Sequence, residues 1–432
     1  MRNLAFLTIV GSLLSSSAGT ALGESYPPMT LLGQNVLQVT PGTWADAGIA
    51  ADSHGNLLLF AGNGQTREYK LSFYTPAADW TAKTVPSGVR PTSISFNDYG
   101  ACILTDNNGF TPMRLWVLPD GGSMTQLFVG NPNAGGGPGS PCMNDNGTII
   151  FVNAADNHYG TPKDFYLWTA PNGLTSLPRL PNDPLYYGSA APRLDAQNRP
   201  VIIKSDGIWR YDQGNWHLVT PAPAEGYVGT GEYARFASDG DIILPVNVYQ
   251  ASKQTPRWLR YDADSNSYST IYQVPVLMSG VHTQLSGATL APDDTLTFIA
   301  YAYGSTSRAE ALTQILPDGT VTVLEDTWPG GTKLSFNRFT FNDVGQVLAD
   351  FKDPLTGLWG FFLWDKGNWV SILPQETRNK VTSFALDDDG NCYFAFLSGT
   401  TGQIDVAMVV PEPGTFFLLA FAGLALRGRR QS

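Results

Sequence analysis

The sequence predicts an all-β fold of repeated four-stranded units, and three observations support this prediction. An apolar strand, an Asn/Asp-rich turn and a second apolar strand recur together about every 48 residues. Gly (45 residues) and Pro (30 residues) are spread between short apolar runs, as in chains with many tight turns. No stretch between the two ends shows sustained helical periodicity. Four strands in a repeat of this length are typical of a β-propeller blade.

The turn motif is clearest in FNDYGACIL, MNDNGTIIF, FASDGDIIL, FNDVGQVLA, LDDDGNCYF and AADSHGNLLLF. In two degenerate copies, LDAQNRPVI and LAPDDTLTF, Asn or Asp replaces the glycine. Gly adopts positive φ without steric cost, and Asn and Asp are the next residues to do so. We therefore expect positive φ at Gly100, Gly147, Gly240 and Gly345. The eight structural turn positions are Gly55, Gly100, Gly147, Asn198, Gly240, Asp294, Gly345 and Gly390.

The remainder of each unit contains two further strands. The third strand often places an apolar residue beside Trp, and a turn rich in Asp, Asn and Gly precedes the fourth. These apolar–Trp pairs are Leu115-Trp116, Leu167-Trp168, Ile208-Trp209, Trp258-Leu259 and Leu363-Trp364. We expect the tryptophans to pack between blades, although stacking on a sugar is an alternative. Eight blades are predicted, and seven blades or two smaller β domains joined near residues 134–138 are the alternatives.

The two ends of the repeat region suggest how the ring closes. The eighth unit has only three strands before the chain reaches Pro411. An unassigned strand, Asn35–Thr40, precedes the first unit. If this strand pairs with the strand near Ile404–Val410, it completes the last blade and leaves no long open sheet edge.

The N-terminal residues have the pattern of a secretory signal peptide. Arg2 supplies a positive charge, Leu4–Leu14 is apolar, and Ala21 and Gly23 are small residues spaced for cleavage. The predicted organisation is a signal peptide at residues 1–23, a propeller at 24–410 and a sorting tail at 411–432.

The tail has three parts in order. Pro411, Glu412 and Pro413 come first, the short apolar run Thr415–Leu426 follows, and the stop-transfer arginines are Arg427, Arg429 and Arg430. These residues resemble a PEP-CTERM sorting signal. The resemblance implies export across the inner membrane to the cell envelope, the cell surface or the extracellular space, and processing by an exosortase. It also implies that the apolar run contacts the membrane transiently. Residues 35–410 are similar to uncharacterised tandem-repeat β-propellers of anchored bacterial surface proteins.

Charge excludes one class of function. The chain has a formal net charge of −11. Without Arg2, the three tail arginines and Glu412, the body keeps 22 basic and 36 acidic residues, a net charge of −14. Such a body repels phosphate backbones, so we expect no nucleic-acid partner. Cys102, Cys142 and Cys392 lie in predicted strands, and we expect free buried thiols, with one disulfide as the alternative.

No convincing active site is present in the sequence. The four histidines form no metal-binding motif, and no nucleophile elbow or phosphate loop occurs. Asp387–Asn391 resembles a calcium loop but lacks the alternating ligands and the late Glu, so a hairpin turn is expected. We predict no metal and no cofactor, with calcium as the alternative. Two loop segments, Tyr186-Tyr187 and Trp328, are further ligand candidates.

Two functions remain open. The first is a non-catalytic binding or structural protein of the cell surface or extracellular matrix, associated with exopolysaccharide. Exopolysaccharide is expected because exosortase systems accompany polysaccharide export in the settings that the resemblance implies. The second is a secreted hydrolase or lyase that acts on glycans, since propeller enzymes assemble sites from distant blades. Carboxylates, His, Arg or Tyr that converge at the mouth of the ring would favour the enzyme.

Overall fold

The computed structural model contains eight four-stranded antiparallel sheets arranged as the blades of a ring. It describes residues 27–42, 45–66, 68–85, 90–107, 111–119, 122–130, 138–154, 163–181, 192–204, 206–223, 233–237, 239–250, 253–303, 308–323, 336–352, 359–365 and 368–411. The predicted signal peptide and the tail beyond Pro411 lie outside these residues. Among the helices of the described residues, none has both the length and the apolar character needed to cross a membrane.

The strands of the first four blades follow the predicted repeat. Blade 1 contains β2 (Ala45–Ala51), β3 (Leu57–Asn63), β4 (Glu68–Thr75) and β5 (Asp79–Lys83). Blade 2 contains β6 (Arg90–Asn97), β7 (Gly100–Asn107), β8 (Thr111–Pro119) and β9 (Thr125–Val129). Blade 3 contains β10 (Pro138–Met143), β11 (Ile149–Ala154), β12 (Lys163–Thr169) and β13 (Gly173–Ser176). Blade 4 contains β14 (Pro192–Leu194), β15 (Pro200–Lys204), β16 (Gly207–Asp212) and β17 (Asn215–Pro221).

The second half of the ring repeats this order. Blade 5 contains β18 (Arg235–Phe236), β19 (Ile242–Gln250), β20 (Lys253–Asp262) and β21 (Ser267–Gln273). Blade 6 contains β22 (Gln284–Leu290), β23 (Leu296–Tyr303), β24 (Arg308–Ile315) and β25 (Val321–Val323). Blade 7 contains β26 (Phe336–Phe341), β27 (Val347–Lys352), β28 (Trp359–Asp365) and β29 (Asn368–Leu373). The short helix α1 (Gln375–Arg378) then leads to β30 (Val381–Leu386), β31 (Cys392–Leu397) and β32 (Gln403–Val409) of blade 8.

Blade 8 is completed by the N-terminal strand, as predicted. Strand β1 (Met29–Gln38) pairs antiparallel with β32, with Leu37 opposite Ile404 and Met29 opposite Val409. The strand begins six residues earlier than the predicted Asn35 and ends at Gln38. Its register shifts between Leu31 and Leu37. This irregularity interrupts the alternation of apolar residues, which is why the first half of the strand was not recognised in the sequence.

Apolar side chains between blades hold the ring together. In the described residues, eight hydrophobic clusters occupy the eight interfaces between neighbouring blades, including the one between blades 8 and 1. The tryptophans of the third strands belong to these clusters. Trp258 and Trp364 are 0% and 1% exposed, and Trp116 and Trp209 are also buried. These four side chains therefore pack between blades and are not available to stack on a sugar.

The turn between the first and second strands has one geometry in seven blades. The N–H of the first turn residue donates to the C=O of the fifth, and the N–H of the fourth donates to the C=O of the first. This is a three-residue hairpin loop in which the fourth residue must adopt positive φ. Its φ is 85° at Gly345, 62° at Asn198 and 65° at Asp294. Blade 2 differs, because Asn97 pairs directly with Gly100, whose φ is 136°.

Side chains complete these turns in two ways. Where the first residue is Asp or Asn, its side-chain oxygen accepts the N–H of the fifth residue, as Asn342 accepts from Gln346 at 2.8 Å. In blades 5 and 6 the first residue is Ala, and the third residue takes over this role. Asp239 accepts from Asp241, and Asp293 accepts from Thr295, both at 3.0 Å. Blades 5 and 6 therefore keep the same hydrogen bond from a different position.

Gly345 offers a test of the backbone requirement alone. A Cβ at this position would lie 3.5 Å from Thr297 Oγ1 and 3.6 Å from the Cβ of Ala291, which are ordinary contacts. We expect Gly345→Val to cost about 1–3 kcal/mol, since a β-branched residue avoids positive φ. Gly345→Asn should cost clearly less, because Asn198 occupies the same turn position in blade 4. Thermal unfolding of both variants tests this, and equal melting temperatures would contradict it.

Candidate functional site at the mouth of the ring

The turns between first and second strands converge at one end of the ring. First strands of neighbouring blades contact each other, as β26 does with β30 and β18 with β22, so they line the axis. The turns that follow these strands therefore surround one opening, which we call the mouth. The second residue of each turn occupies an equivalent position in its own blade.

Four of these second residues are acidic. Asp98, Asp145, Asp343 and Asp388 come from blades 2, 3, 7 and 8, and we call them the acidic arc. Ser53 of blade 1 lies within the arc. Among the described residues, blades 4 and 6 carry Ala196 and Pro292 at this position, so the acidic second residues lie on blades 7, 8, 2 and 3.

Backbone amides hold the arc carboxylates in place. The N–H of Asp343 donates to Oδ1 of Asp388 at 2.9 Å, from one blade to the next. The N–H of Ser53 donates to Asp98 at 3.1 Å, and the Ser53 hydroxyl donates to the same carboxylate at 2.6 Å. The N–H of Asp98 in turn donates to the carboxylate of Asp145. Each of these bonds joins two blades, so the carboxylates are fixed by the ring itself.

The arc carboxylates affect one another's protonation. Partial desolvation among the turns raises the pKa of Asp145, and the charge of Asp98 adds to this effect. Desolvation, followed by the charges of Asp388 and Asp145, likewise raises the pKa of Asp343. Desolvation also raises the pKa of Asp388. Burial works to raise the pKa of Asp98 too, but the hydrogen bonds from Ser53 and His54 outweigh it and lower that pKa.

A histidine lies beside the arc. Nδ1 of His54 is 3.2 Å from Oδ1 of Asp98, and this hydrogen bond, together with the charge of Asp98, raises the pKa of the imidazole. Asp52, His54 and Asp98 each offer one possible metal-ligand atom within 4.8 Å of the others. However, Oδ1 of Asp52 accepts the N–H groups of His54 and Asn56, and Oδ2 accepts Asn56 Nδ2. The group is already hydrogen-bonded as a turn.

Two arginines, Arg193 and Arg235, lie on the first strands of blades 4 and 5, which do not contribute to the acidic arc. Burial lowers the pKa of Arg235 to about 10, and the charge of Arg193 contributes to the same shift. Arg235 donates to the carbonyl oxygens of Ala234 and Ala288. The charge of Asp343 acts on Arg235 in the opposite direction, so this arginine lies within reach of the acidic arc. The mouth thus combines carboxylates from blades 7, 8, 2 and 3 with guanidinium groups from blades 4 and 5.

The structure places the remaining candidates as follows. Asp387 accepts the N–H of Asn391 at 2.8 Å and the hydroxyl of Tyr393 at 2.6 Å, so the loop that resembles a calcium site is closed as a hairpin turn. The three cysteines are free thiols on β7, β10 and β31, and Cys142 is only half-buried, unlike the expectation. Pro411 directly follows β32. The candidates outside the described residues are Tyr186-Tyr187, Trp328, Glu412, Pro413, Arg427, Arg429 and Arg430.

The acidic arc was not recognised in the sequence, although the signal was present. Aligning the eight turns by their fourth residue places Asp98, Asp145, Asp343 and Asp388 in one column. Equivalent positions of a closed ring lie at the same height around its axis. The repeat alone could therefore have predicted that these four carboxylates meet.

The arc predicts an unusual pH dependence. Because the pKa of Asp343 is raised above its ordinary value of 3.8, the folded protein binds this proton more tightly than the unfolded chain. The resulting stabilisation is complete below the unfolded pKa and is lost as the pH rises through the raised value. Asp343→Asn removes the charge, so we expect this variant to melt higher than the parent at about pH 7, with convergence below about pH 4.

Asp318→Asn is the matched control for this measurement. Asp318 lies in a turn of blade 6, and the backbone N–H of Thr320 lowers the pKa of its carboxyl. Removing this charge should not raise the melting temperature at pH 7. If the two variants respond alike, repulsion within the arc is not the cause.

The tail matches a known sorting signal. Residues 409–431 match the model described as the PEP-CTERM protein-sorting motif. No curated protein matches the sequence. This match includes Pro411, Glu412 and Pro413, the residues whose order in the sequence resembles the sorting signal.

Solved structures share the fold. The C-terminal WD40 domain of Sif2 is 12% identical, with a TM-score of 0.51, and the match covers 90% of this chain and 100% of that chain. Virginiamycin B lyase from Staphylococcus aureus is 13% identical, with a TM-score of 0.39 and coverage of 87% and 98%. The β-propeller domain of the Trilobed protease from Pyrococcus furiosus is 9% identical, with a TM-score of 0.46 and coverage of 86% and 95%. At these identities the likeness concerns the fold alone. The chain is therefore an exported protein of the cell surface or extracellular space, with an eight-bladed β-propeller body and a PEP-CTERM sorting motif at residues 409–431.

Proposed function

We propose that the propeller is a non-catalytic binding protein of the extracellular matrix and that its mouth binds a glycan. The acidic arc is the observation that carries this proposal. Asp98 and Asp388 are held by backbone N–H groups of neighbouring blades. An ionised carboxylate accepts hydrogen bonds at about four lone-pair positions, so such groups keep acceptor capacity for sugar hydroxyls. Because the ring fixes them in advance, little side-chain freedom is lost on binding.

Charge restricts the kind of glycan. A polyanion would meet four carboxylates around the axis and would be repelled. Neutral sugars and amino sugars carry hydroxyl and ammonium donors, which complement carboxylate acceptors. The glycan over the acidic arc is therefore neutral or cationic. An exopolysaccharide is its natural source, because the sorting motif brings the protein to the cell surface or beyond.

In this proposal the exosortase acts on the chain first, and the glycan binds the propeller afterwards. An exosortase processes the chain near Pro411, Glu412 and Pro413, and the apolar run Thr415–Leu426 contacts the membrane only until that step. The propeller then remains in the envelope or matrix through its glycan contacts. Neither calcium nor another cofactor has a role in this proposal.

A glycan array probed with the purified protein tests the proposal. We expect retention of neutral or amino-sugar polysaccharides by the parent and clear loss of retention by the double variant Asp98→Asn, Asp388→Asn. Asp164→Asn is the control, because Asp164 forms an exposed ion pair with Arg179 on blade 3, away from the mouth. Equal retention by all three proteins would show that the mouth is not the binding surface.

Carboxylates, a histidine and arginines converge at the mouth, as expected for the second candidate, a glycan hydrolase or lyase. Asp98 and Asp145 are neighbouring carboxyls whose pKa values are shifted in opposite directions, down for Asp98 and up for Asp145. Such a division suits one carboxylate that accepts a proton and one carboxyl that donates it. Each retained glycan should therefore be incubated with the protein and assayed for new reducing ends or unsaturated sugars. Products that disappear in Asp145→Asn would favour the enzyme, whereas a binding protein releases none.

A further inference from the structure

A small cavity lies between blades 4 and 5 on the mouth side of the ring. Its volume is about 30 Å³, which is room for two or three water molecules or one carboxylate. Turn residues of both blades form its rim. Phe236 and Tyr261 contribute an aromatic wall, and the charged lining residues are Arg210, Arg199 and Asp195.

One N–H group of Arg210 has no acceptor among the described residues. Its Nε atom is buried and has no hydrogen-bond partner among the described residues. No carboxylate of the described residues forms an ion pair with it. The neighbouring Arg199 already has acidic partners, because it donates to Asp195 at 2.8 Å and one of its terminal nitrogens lies 3.7 Å from Oδ2 of Asp212. A buried N–H without an acceptor destabilises the fold, so this position favours a bound acceptor.

Blade 5 shows what the missing partner is. Arg260 occupies the same register there, opposite Ile243, as Arg210 does in blade 4 opposite Val201. In blade 5, Asp241 accepts from Arg260 Nε at 2.5 Å, and Asp239 accepts from its terminal nitrogen. The turn of blade 4 carries Arg199 and Gln197 at these two positions. One repeat therefore supplies both carboxylates from its own turn, and its neighbour has a cavity and an arginine whose Nε has no acceptor among the described residues.

We propose that this cleft binds the carboxylate of an acidic sugar, which takes the place of the two turn carboxylates, Asp239 and Asp241, that bind Arg260 in blade 5. The inference rests on the proposed function, since the sugar belongs to the glycan over the mouth. The carboxylate pairs with Arg210 in a charge-assisted hydrogen bond. The apolar face of the sugar ring lies against the wall formed by Phe236 and Tyr261. The ligand is thus a glycan of neutral or amino sugars that carries uronic-acid units, not a uniform polyanion.

Titration of the exported protein with sodium glucuronate, with glucose as the neutral match, tests the proposal by calorimetry. We expect saturable glucuronate binding at least tenfold tighter than glucose binding. Arg210→Gln should reduce glucuronate binding to the glucose level. Gln197→Asp keeps Arg210 and places a carboxylate where blade 5 has Asp239. We expect this variant to stay folded and to bind glucuronate at least tenfold more weakly. Arg179→Gln, a substitution on the outer part of blade 3, should leave the affinity for glucuronate unchanged.

The outcomes separate the two proposals. Equal affinity for glucuronate and glucose, or full affinity in Arg210→Gln, would overturn the carboxylate cleft. Retained affinity in Gln197→Asp would also overturn it, since the introduced carboxylate would then not compete. If glucuronate binds through Arg210 but the array retains no glycan, the cleft stands and the function proposed for the mouth fails.

Discussion

Gly402→Ala is expected to destabilise the closing blade by about 3 kcal/mol or more. Gly402 has a φ of 68° in the hairpin between β31 and β32, a conformation that alanine adopts only with strain. A Cβ at this position would also overlap the backbone carbonyl of Val39, directly after the N-terminal strand. The N–H of Val39 donates to the C=O of Gly402 at 2.9 Å. The N-terminal segment therefore cannot separate from this hairpin without losing the hydrogen bond.

Gly399→Ala is the matched control, because it lies in the same hairpin. Gly399 is exposed, and a Cβ there would meet no atom within 4 Å. Thermal unfolding should therefore show a large loss for Gly402→Ala and almost none for Gly399→Ala. Limited proteolysis should cut the N-terminal strand faster in Gly402→Ala. If both variants unfold like the parent, closure through Val39 contributes little to stability.

Asp350→Ala is expected to have a comparable effect, about 3–5 kcal/mol. The Asp350 side chain is 0% exposed and binds two arginines. Arg378 donates to it at 2.7 and 2.9 Å, and Arg338 donates at 3.3 Å. Arg338 also donates to the carbonyl of Thr382 at 2.8 Å, so the network joins blades 7 and 8. Without Asp350, two partly buried guanidinium groups would lose their counter-charge.

Asp164→Ala provides the comparison with an exposed ion pair. Asp164 and Arg179 form a 3.1 Å pair on blade 3, and their side chains are 36% and 61% exposed. Exposed pairs contribute about 0–1 kcal/mol, so this variant should unfold almost like the parent. Chemical denaturation of both variants measures the difference. A small effect of Asp350→Ala would mean that water replaces the carboxylate.

The repeat predicted the fold because each unit carries its own local signals. Gly345, Gly240 and Gly390 mark turns whose geometry depends on residues close in sequence, so spacing alone located the blades. The N-terminal strand was predicted only from Asn35 onward. Asn35 has a φ of 53°, and its N–H donates to Asp405, a residue 370 positions away. The register shifts between Leu31 and Leu37 interrupt the alternation of apolar residues there, so the start of the strand could not be located.

The sites depended on comparison between repeats. As a single strand residue, Arg210 of blade 4 has no unusual feature. Its missing acceptor is apparent only from the comparison with Arg260 of blade 5. Likewise, Asp145 and Asp343 come from opposite sides of the ring, yet the charge of Asp145 raises the pKa of Asp343. Such proximity follows from ring closure and the width of the opening, and neither is encoded in one unit.

The strand order of blade 8 also determines how the body bears a mechanical load. The order is β1, β32, β31 and β30, so the strand that leads to the sorting motif lies inside the sheet and not at its edge. Strand β32 pairs with β1 along one side and with β31 along the other. A pull on the chain at Val410 along the strand therefore shears two ladders at once, whereas an edge strand would be held by one. The first strand of the chain thus reinforces the point at which force from the tail enters the ring.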